Sequence, residues 1–328
     1  MILIMKKNPL LYLSIIPIAF MFQHCSKFFD DPLQEFDPQR VGQQNIVLSS
    51  ADHYAVKKIN ILETFGSYGC VNCPPAESTL SPYYSKELVS LGKYDSSLIV
   101  VTYHVKFGSD SDPWITPNTQ TVYNAYSYQT TLPEIRLNGS NSRYGFSENI
   151  AAQWKEGMMD TLLSRRTNFG STTFIEIVID SQSVTYDTSQ FEIRFNVKIL
   201  NRSLADLSNL SLRILAAKNR PVTFLDDRRS PIKIYTYWEV VVLECIESDP
   251  NGNPFVINNL PALRGIEQSV RLILFDEKAK QIPSSRWWKN ISQLEPLSSY
   301  AIVVLIKNEQ GIIENAAAHQ YAPQRDRQ

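Results

Sequence analysis

The chain has 328 residues, 43% of them hydrophobic and 20% charged, with a formal net charge of -1. That length predicts two domains, each with enough apolar residues to build its own core. The near-neutral balance and a pI of about 6.5 give no electrostatic footing for a nucleic-acid partner. Small basic groups such as Arg228-Arg229 read as solvated turns.

Residues 1–24 read as an export signal rather than as part of a fold. Lys6-Lys7 form the basic segment, Pro9 to Phe22 is nearly all apolar, and Cys25 follows closely. A cysteine at that place predicts lipoprotein processing: its thiol is acylated and anchors the mature chain to a membrane of the cell envelope. Gln23-His24 depart from the small residues that usually precede such a cysteine. An uncleaved anchor and a soluble secreted form are the alternatives, and each leaves the mature chain where disulfides persist. Residues 25–45, with acidic residues, prolines and glutamines but no helical or strand period, read as a tether.

Residues 46–169 alternate strand and helix patterns. "VKKINILETF" predicts a strand, 74–91 a helix, and "SSLIVVTYHV", dense in β-branched residues, a buried central strand. A second helix is expected over 118–128. "LPEIRLNG" predicts a short strand stopped by the hairpin signal Asn138-Gly139. A last helix starts at Ser147, with Ile150, Trp154, Met158 and Leu162 on one face. This order suits an α/β domain, a mixed sheet with helices on both faces. Over 170–320 the helical period largely disappears. "FEIRFNVKIL" places Phe191, Ile193, Phe195, Val197 and Ile199 on one face, and "LSLRIL", "IKIYTYWEVVVLE", "SVRLILF" and "SYAIVVLIKN" follow. Short strands without helices predict an all-β antiparallel sandwich, Ig-like, with "NEQG" as the turn of its final hairpin and 321–328 as a tail.

The chemistry centres on "GCVNCPPAES", a Cys-X-X-Cys between a strand and a helix. Helix N-terminal N–H groups favour a thiolate, and the second sulfur lies within reach to displace a mixed disulfide. A static disulfide and a zinc half-site are the other readings. Zinc wants four ligands, and His24, His53, His104 and His319 are scattered. Covalent haem would require a histidine where Pro74 stands. With Cys25 lipidated, Cys70, Cys73 and Cys245 remain. Cys245, inside the apolar "YWEVVVLECIES", reads as a buried inert thiol, which leaves a Cys70–Cys73 disulfide. Pro74-Pro75 suit a first helical turn, so Cys73 falls near the N-cap, and Cys70 is expected to be the more exposed, attacking sulfur. "DPNGNP" reads as a hairpin turn, because a calcium loop would need glycine at Pro254 and glutamate at Leu260. No Gly-rich phosphate loop or activated-serine motif occurs, and no cofactor is expected.

"INILETFGSYGCVNCPPAESTL", "LIVVTYHVKFGSDSDPW" and "TTLPEIRLNG" together resemble a group of exported bacterial thioredoxin-like proteins. These open with patterns such as ELFTSxGCSSCPPA or EEFTGxxCxNCP. Some are outer-membrane-protein-related lipoproteins with a β-sandwich after the thioredoxin-like part. The resemblance covers most of 58–167 and the rest loosely. It implies a thioredoxin-like domain in which Pro133 is the usually cis proline facing the disulfide, with Leu132 offering its backbone to an extended peptide. Glu63 corresponds to the buried acid that helps proton transfer, one residue further from the first cysteine; an ordinary strand glutamate is the alternative. His104 is expected to tune a thiolate, to hold copper with both sulfurs, or simply to be hydrogen-bonded at its strand end. Two functions compete: thiol–disulfide exchange with exported proteins through Cys70 and Cys73, and a non-catalytic envelope scaffold in which that disulfide is a staple. The fold does not choose between them; a reduction potential does.

Overall fold

Alternation builds the simplest part of the molecule. In β8 (Glu192–Asn201) Ile193, Phe195, Val197 and Ile199 all point inward and are at most 2% exposed. Burying each such side chain contributes about 1.5–3 kcal/mol relative to leaving it in water. This strand lies in a four-stranded antiparallel sheet of order β1–β12–β8–β7, with β1 at Gln44–Val47, β7 at Ile175–Asp187 and β12 at Arg264–Ile273. The computed structural model describes residues 44–80, 98–108, 112, 114–126, 132–139, 172–190, 192–226, 228, 230–248, 254–274 and 300–319. The export signal, Cys25, most of the tether, the helix expected from Ser147, Phe191 and the 321–328 tail lie outside the described residues.

The second sheet has eight strands. Its path runs β14 (Ile313–His319), β13 (Ala301–Lys307), β9 (Leu207–Asp226), β10 (Lys233–Ile246), β4 (Leu98–His104), β3 (Asn60–Gly66), β5 (Glu134–Leu137), with β11 (Val256–Leu260) also paired to β9. A small ladder joins β2 (Val56–Lys57) to β6 (Thr172–Thr173). β3 and β4 run parallel, Asn60 opposite Leu98 through Gly66 opposite His104, while β5 is antiparallel to β3. β10 lies parallel to β4, with Val241 opposite Thr102. The boundary expected near 169–170 therefore runs through one sheet: β3, β4 and β5 precede it, and β9, β10, β11, β13 and β14 follow it. Residues 43–328 form one compact unit.

The larger sheet is buried on both faces. Ile214, Ala216, Ile302, Val304 and Ile306 join the core shared with β8, whereas Leu215, Ala217, Val303 and Leu305 face a second core with Ile61, Phe65, Val101 and Tyr103. A strand covered on both sides needs no polar alternation, which explains the continuous apolar runs of β4 and β13. β9 continues well past "LSLRIL", through Pro221 to Asp226. The hairpin expected at "NEQG" joins β13 to β14.

Two described helices sit beside the parallel strands. α1 (Cys73–Leu80) places Pro74 and Pro75 in its first turn, and the first helical hydrogen bond runs from Ala76 N–H to the Asn72 carbonyl at 3.1 Å. The prolines thus occupy positions whose N–H groups would have no partner in the helix. α2 (Pro117–Tyr126) is capped by Thr116, whose Oγ1 accepts from Thr119 N–H at 3.1 Å while Thr116 N–H donates to Thr119 Oγ1 at 3.0 Å. The rest of the helix expected to 91 falls outside the described residues.

Asn138 and Gly139 both take positive φ, 53° and 68°, as a tight turn of this composition requires. The turn is docked on the last hairpin: Ile313 N–H donates to the Asn138 carbonyl at 2.9 Å. A Cβ at position 139 would stand 2.5 Å from the Gly311 carbonyl oxygen, so only glycine fits.

Candidate functional site

Cys70 and Cys73 are joined in a disulfide at the junction between β3 and α1, with their Cα atoms 5.4 Å apart. The loop is a sequence of tight turns: Cys70 N–H donates to Ser67 O at 3.1 Å and Cys73 N–H to Cys70 O at 3.3 Å. Cys73 opens the helix, as the two prolines implied. Cys70 is not the exposed sulfur that was expected, because each cysteine is only 3% exposed and Val71, at 42%, is what the loop presents to solvent.

The physical reason lies far away in the chain. Arg228, in the connection between β9 and β10, donates from Nη1 to the carbonyls of Tyr68 at 3.3 Å and Gly69 at 2.9 Å. Its Nε donates to the buried Asp226 carboxylate at 2.7 Å, which fixes the guanidinium. The Tyr68 ring stacks on Phe224 of β9 with centroids 5.8 Å apart. Its hydroxyl donates to Glu239 of β10 at 3.1 Å, and its N–H donates to Asp112 at 3.0 Å.

His104 ends β4 and is 2% exposed. Nδ1 bonds Asp112 Oδ2 at 2.6 Å, and Nε2 makes a short contact with Glu239 Oε1. Both nitrogens donate only in the imidazolium. Burial alone would lower its pKa, but Asp112 and Glu239 outweigh that and raise it from 6.5 to about 10. With both nitrogens committed to carboxylates, His104 has no lone pair for copper. Among the described residues no group of three or more His, Cys, Asp or Glu side chains is arranged to hold a metal ion. Its hydrogen bonds hold it at the end of its strand.

Glu63 is fully buried in β3. Its Oε1 accepts from Tyr103 Oη at 2.9 Å and Arg213 Nη1 at 2.9 Å, and its Oε2 from Tyr126 Oη at 3.2 Å. Burial and the Glu63 charge push both tyrosine hydroxyls up, Tyr103 well above its ordinary value. A second buried carboxylate, Glu77, 4% exposed, stands on α1. A Cβ on Gly66 would lie 3.9 Å from both Cys73 Sγ and Glu77 Oε1. Glu77 stands four residues after Cys73, one helical turn on, a spacing that marks it in the sequence. Nothing in the sequence marks Arg228, Glu239 or Asp112 as neighbours of the loop.

Pro133 immediately precedes β5, the antiparallel neighbour of β3, and the Leu132–Pro133 peptide is cis. Cys245 is a free thiol, 2% exposed, and burial raises its pKa far above the ordinary thiol value. It is the inert packing cysteine expected of its apolar strand.

No protein-family model matches the chain, and no curated protein matches it. Among solved structures, HBP35 of Porphyromonas gingivalis superposes with a TM-score of 0.54 at 13% identity, over 80% of this chain and 75% of that one. At that identity the likeness is one of fold alone. A domain of the outer membrane lipoprotein Omp28 from Porphyromonas gingivalis gives a TM-score of 0.26 at 12% identity, over 47% of this chain and 92% of that one, and carries no argument.

Proposed function

We propose that this chain is an exported envelope protein, lipid-anchored through Cys25, with a thioredoxin-like segment from β3 to β5 whose Cys70–Cys73 disulfide exchanges with thiols and disulfides of exported proteins. The observation that carries this reading is the position of the disulfide: it sits at the N-terminus of α1, directly after the middle strand of the β4–β3–β5 set. Helix N–H groups there favour the thiolate produced on reduction. Pro133 at the head of the adjoining strand and the parallel β3–β4 pair support the thioredoxin-like reading. The export and anchor parts rest on the basic-then-apolar N-terminus that ends at Cys25.

The burial of both sulfurs favours a second reading, an envelope scaffold in which the disulfide is a staple. Equilibration of the full chain with glutathione buffers separates the two. Exchange predicts a potential above roughly -270 mV, whereas a value below about -300 mV overturns it in favour of the staple.

A further inference from the structure

The clamp on the disulfide loop comes from another part of the sheet, and it is built rather than incidental. Asp226, with no exposed side-chain surface, orients Arg228 through Nε. The same guanidinium then takes up two successive loop carbonyls, those of Tyr68 and Gly69, directly before Cys70. Phe224 and Glu239 hold the Tyr68 side chain from the same two strands, β9 and β10. α1 itself packs against β10. The Arg228 side chain is 25% exposed, so solvent reaches the clamp but not the sulfurs it restrains.

We infer that the β9–β10 hairpin is a latch that holds Cys70–Cys73 in a closed, slowly reacting state, and that releasing Arg228 from the two carbonyls is the step that exposes Cys70. The inference deepens the exchange reading and rests on it for its use, though the latch stands on geometry of its own. Exchange with a dithiol shows what the latch controls. The incoming thiolate bonds to Cys70 Sγ, the Cys70–Cys73 bond breaks, and Cys73 leaves as a thiolate that takes up a proton. The second thiol of the reductant loses its proton and displaces Cys70, which is protonated in turn. The dithiol ends as a cyclic disulfide and the protein as two thiols. The first of these steps needs an open line to Cys70 Sγ, which the latched loop withholds.

The test uses the full chain, with dithiothreitol as reductant, an alkylating trap, and mass spectrometry reading Cys70, Cys73 and Cys245 separately. Arg228→Ala should speed reduction of Cys70–Cys73 by about tenfold or more, since two hydrogen bonds to a charged donor are lost. Arg228→Lys should fall between it and the wild type, because an ammonium cannot hold the fork. Arg264→Ala, an exposed arginine of the other sheet, should leave the rate unchanged. Cys245, buried in the core, reports global opening and should stay protected in every variant. Equal rates for Arg228→Ala and the wild type overturn the latch. So does alkylation of Cys245 in step with Cys70, which would mean that the whole fold opens. If Arg228→Ala does not accumulate as folded protein, Asp226→Asn loosens the same guanidinium and should give a smaller acceleration; no acceleration overturns the latch. A variant reduced quickly by dithiothreitol that stays oxidised against every glutathione buffer upholds the latch and overturns the exchange reading.

Discussion

Glu63 and Glu192 are both fully buried, one in each sheet, and they are neutralised in different ways. Glu63 is met by Arg213, itself 2% exposed, and by the hydroxyls of Tyr103 and Tyr126. Arg213 comes from β9, so the pair ties a strand near the disulfide to one of the central strands of the larger sheet. The guanidiniums of Arg136 and Arg213 both lie over the Tyr126 ring, at 4.7 and 4.9 Å from its centroid. Glu192 is met by Arg194, whose side chain is 59% exposed, and by Arg271, 15% exposed. Both of those arginines retain water. Around Glu63 both members of the ion pair are buried, and the network reaches solvent only one step on, where Arg213 also contacts the 43% exposed Glu247; around Glu192 solvent touches the arginines themselves.

The largest effect expected from this difference is at Arg213. Replacing it with alanine leaves a buried carboxylate with hydroxyl donors but without its ion-pair partner, which should destabilise the protein by about 3–5 kcal/mol. Urea unfolding monitored by tryptophan fluorescence measures it. Adding Glu63→Gln to Arg213→Ala should recover part of the loss, because the stranded charge is gone. A loss for the single variant under about 1 kcal/mol would break the comparison by making Glu63 behave like a surface ion.

His104 gives the next effect, and its sign is fixed by linkage. Its folded pKa, about 10, lies above the ordinary value of 6.5. The contribution is therefore fully present below about pH 6.5 and is lost as pH rises through about 10. Between pH 6 and pH 10 the wild type should lose on the order of 3–5 kcal/mol more than His104→Gln does. Parallel pH profiles of the two proteins would show instead that the imidazolium is not what holds Asp112 and Glu239 together.

The contrast between the two regions also decides what the sequence reveals. Ile193, Phe195, Val197 and Ile199 alternate, so β8 and its inward face are legible residue by residue. Asn138-Gly139 and the paired prolines after Cys73 are legible because backbone geometry restricts which residues can stand there. The cysteine pairing is legible by arithmetic. What is not legible is long-range compensation of charge. Tyr68 and Glu239 are 171 positions apart, and Arg228 and Gly69 are 159 apart. No local period relates them, so the loop's burial and the parallel pairing of β10 with β4 come only from the fold. The length of β9 is not legible either: only "LSLRIL" carries a strand pattern, whereas the strand runs on to Asp226.

The smallest effect should come from the solvent-sharing network, at Arg194. Its Nε contacts Glu192, yet most of the side chain lies in water, and Arg271 remains on the other carboxylate oxygen when Arg194 is removed. Glu192 would then keep a counter-charge and gain access to solvent where the guanidinium had been. Holding the long Arg194 side chain in one geometry also has an entropic cost that the truncation relieves. Arg194→Ala should therefore change stability by less than about 1 kcal/mol, and the small change should shrink further in high salt. Removing Arg271 as well takes away the second partner, so Arg194→Ala with Arg271→Ala should cost more than the two single losses added together. A double variant that is merely additive would show that water alone satisfies Glu192. The glutamate would then be buried in its surface area yet not in its electrostatics, and the comparison with Glu63 would become sharper still.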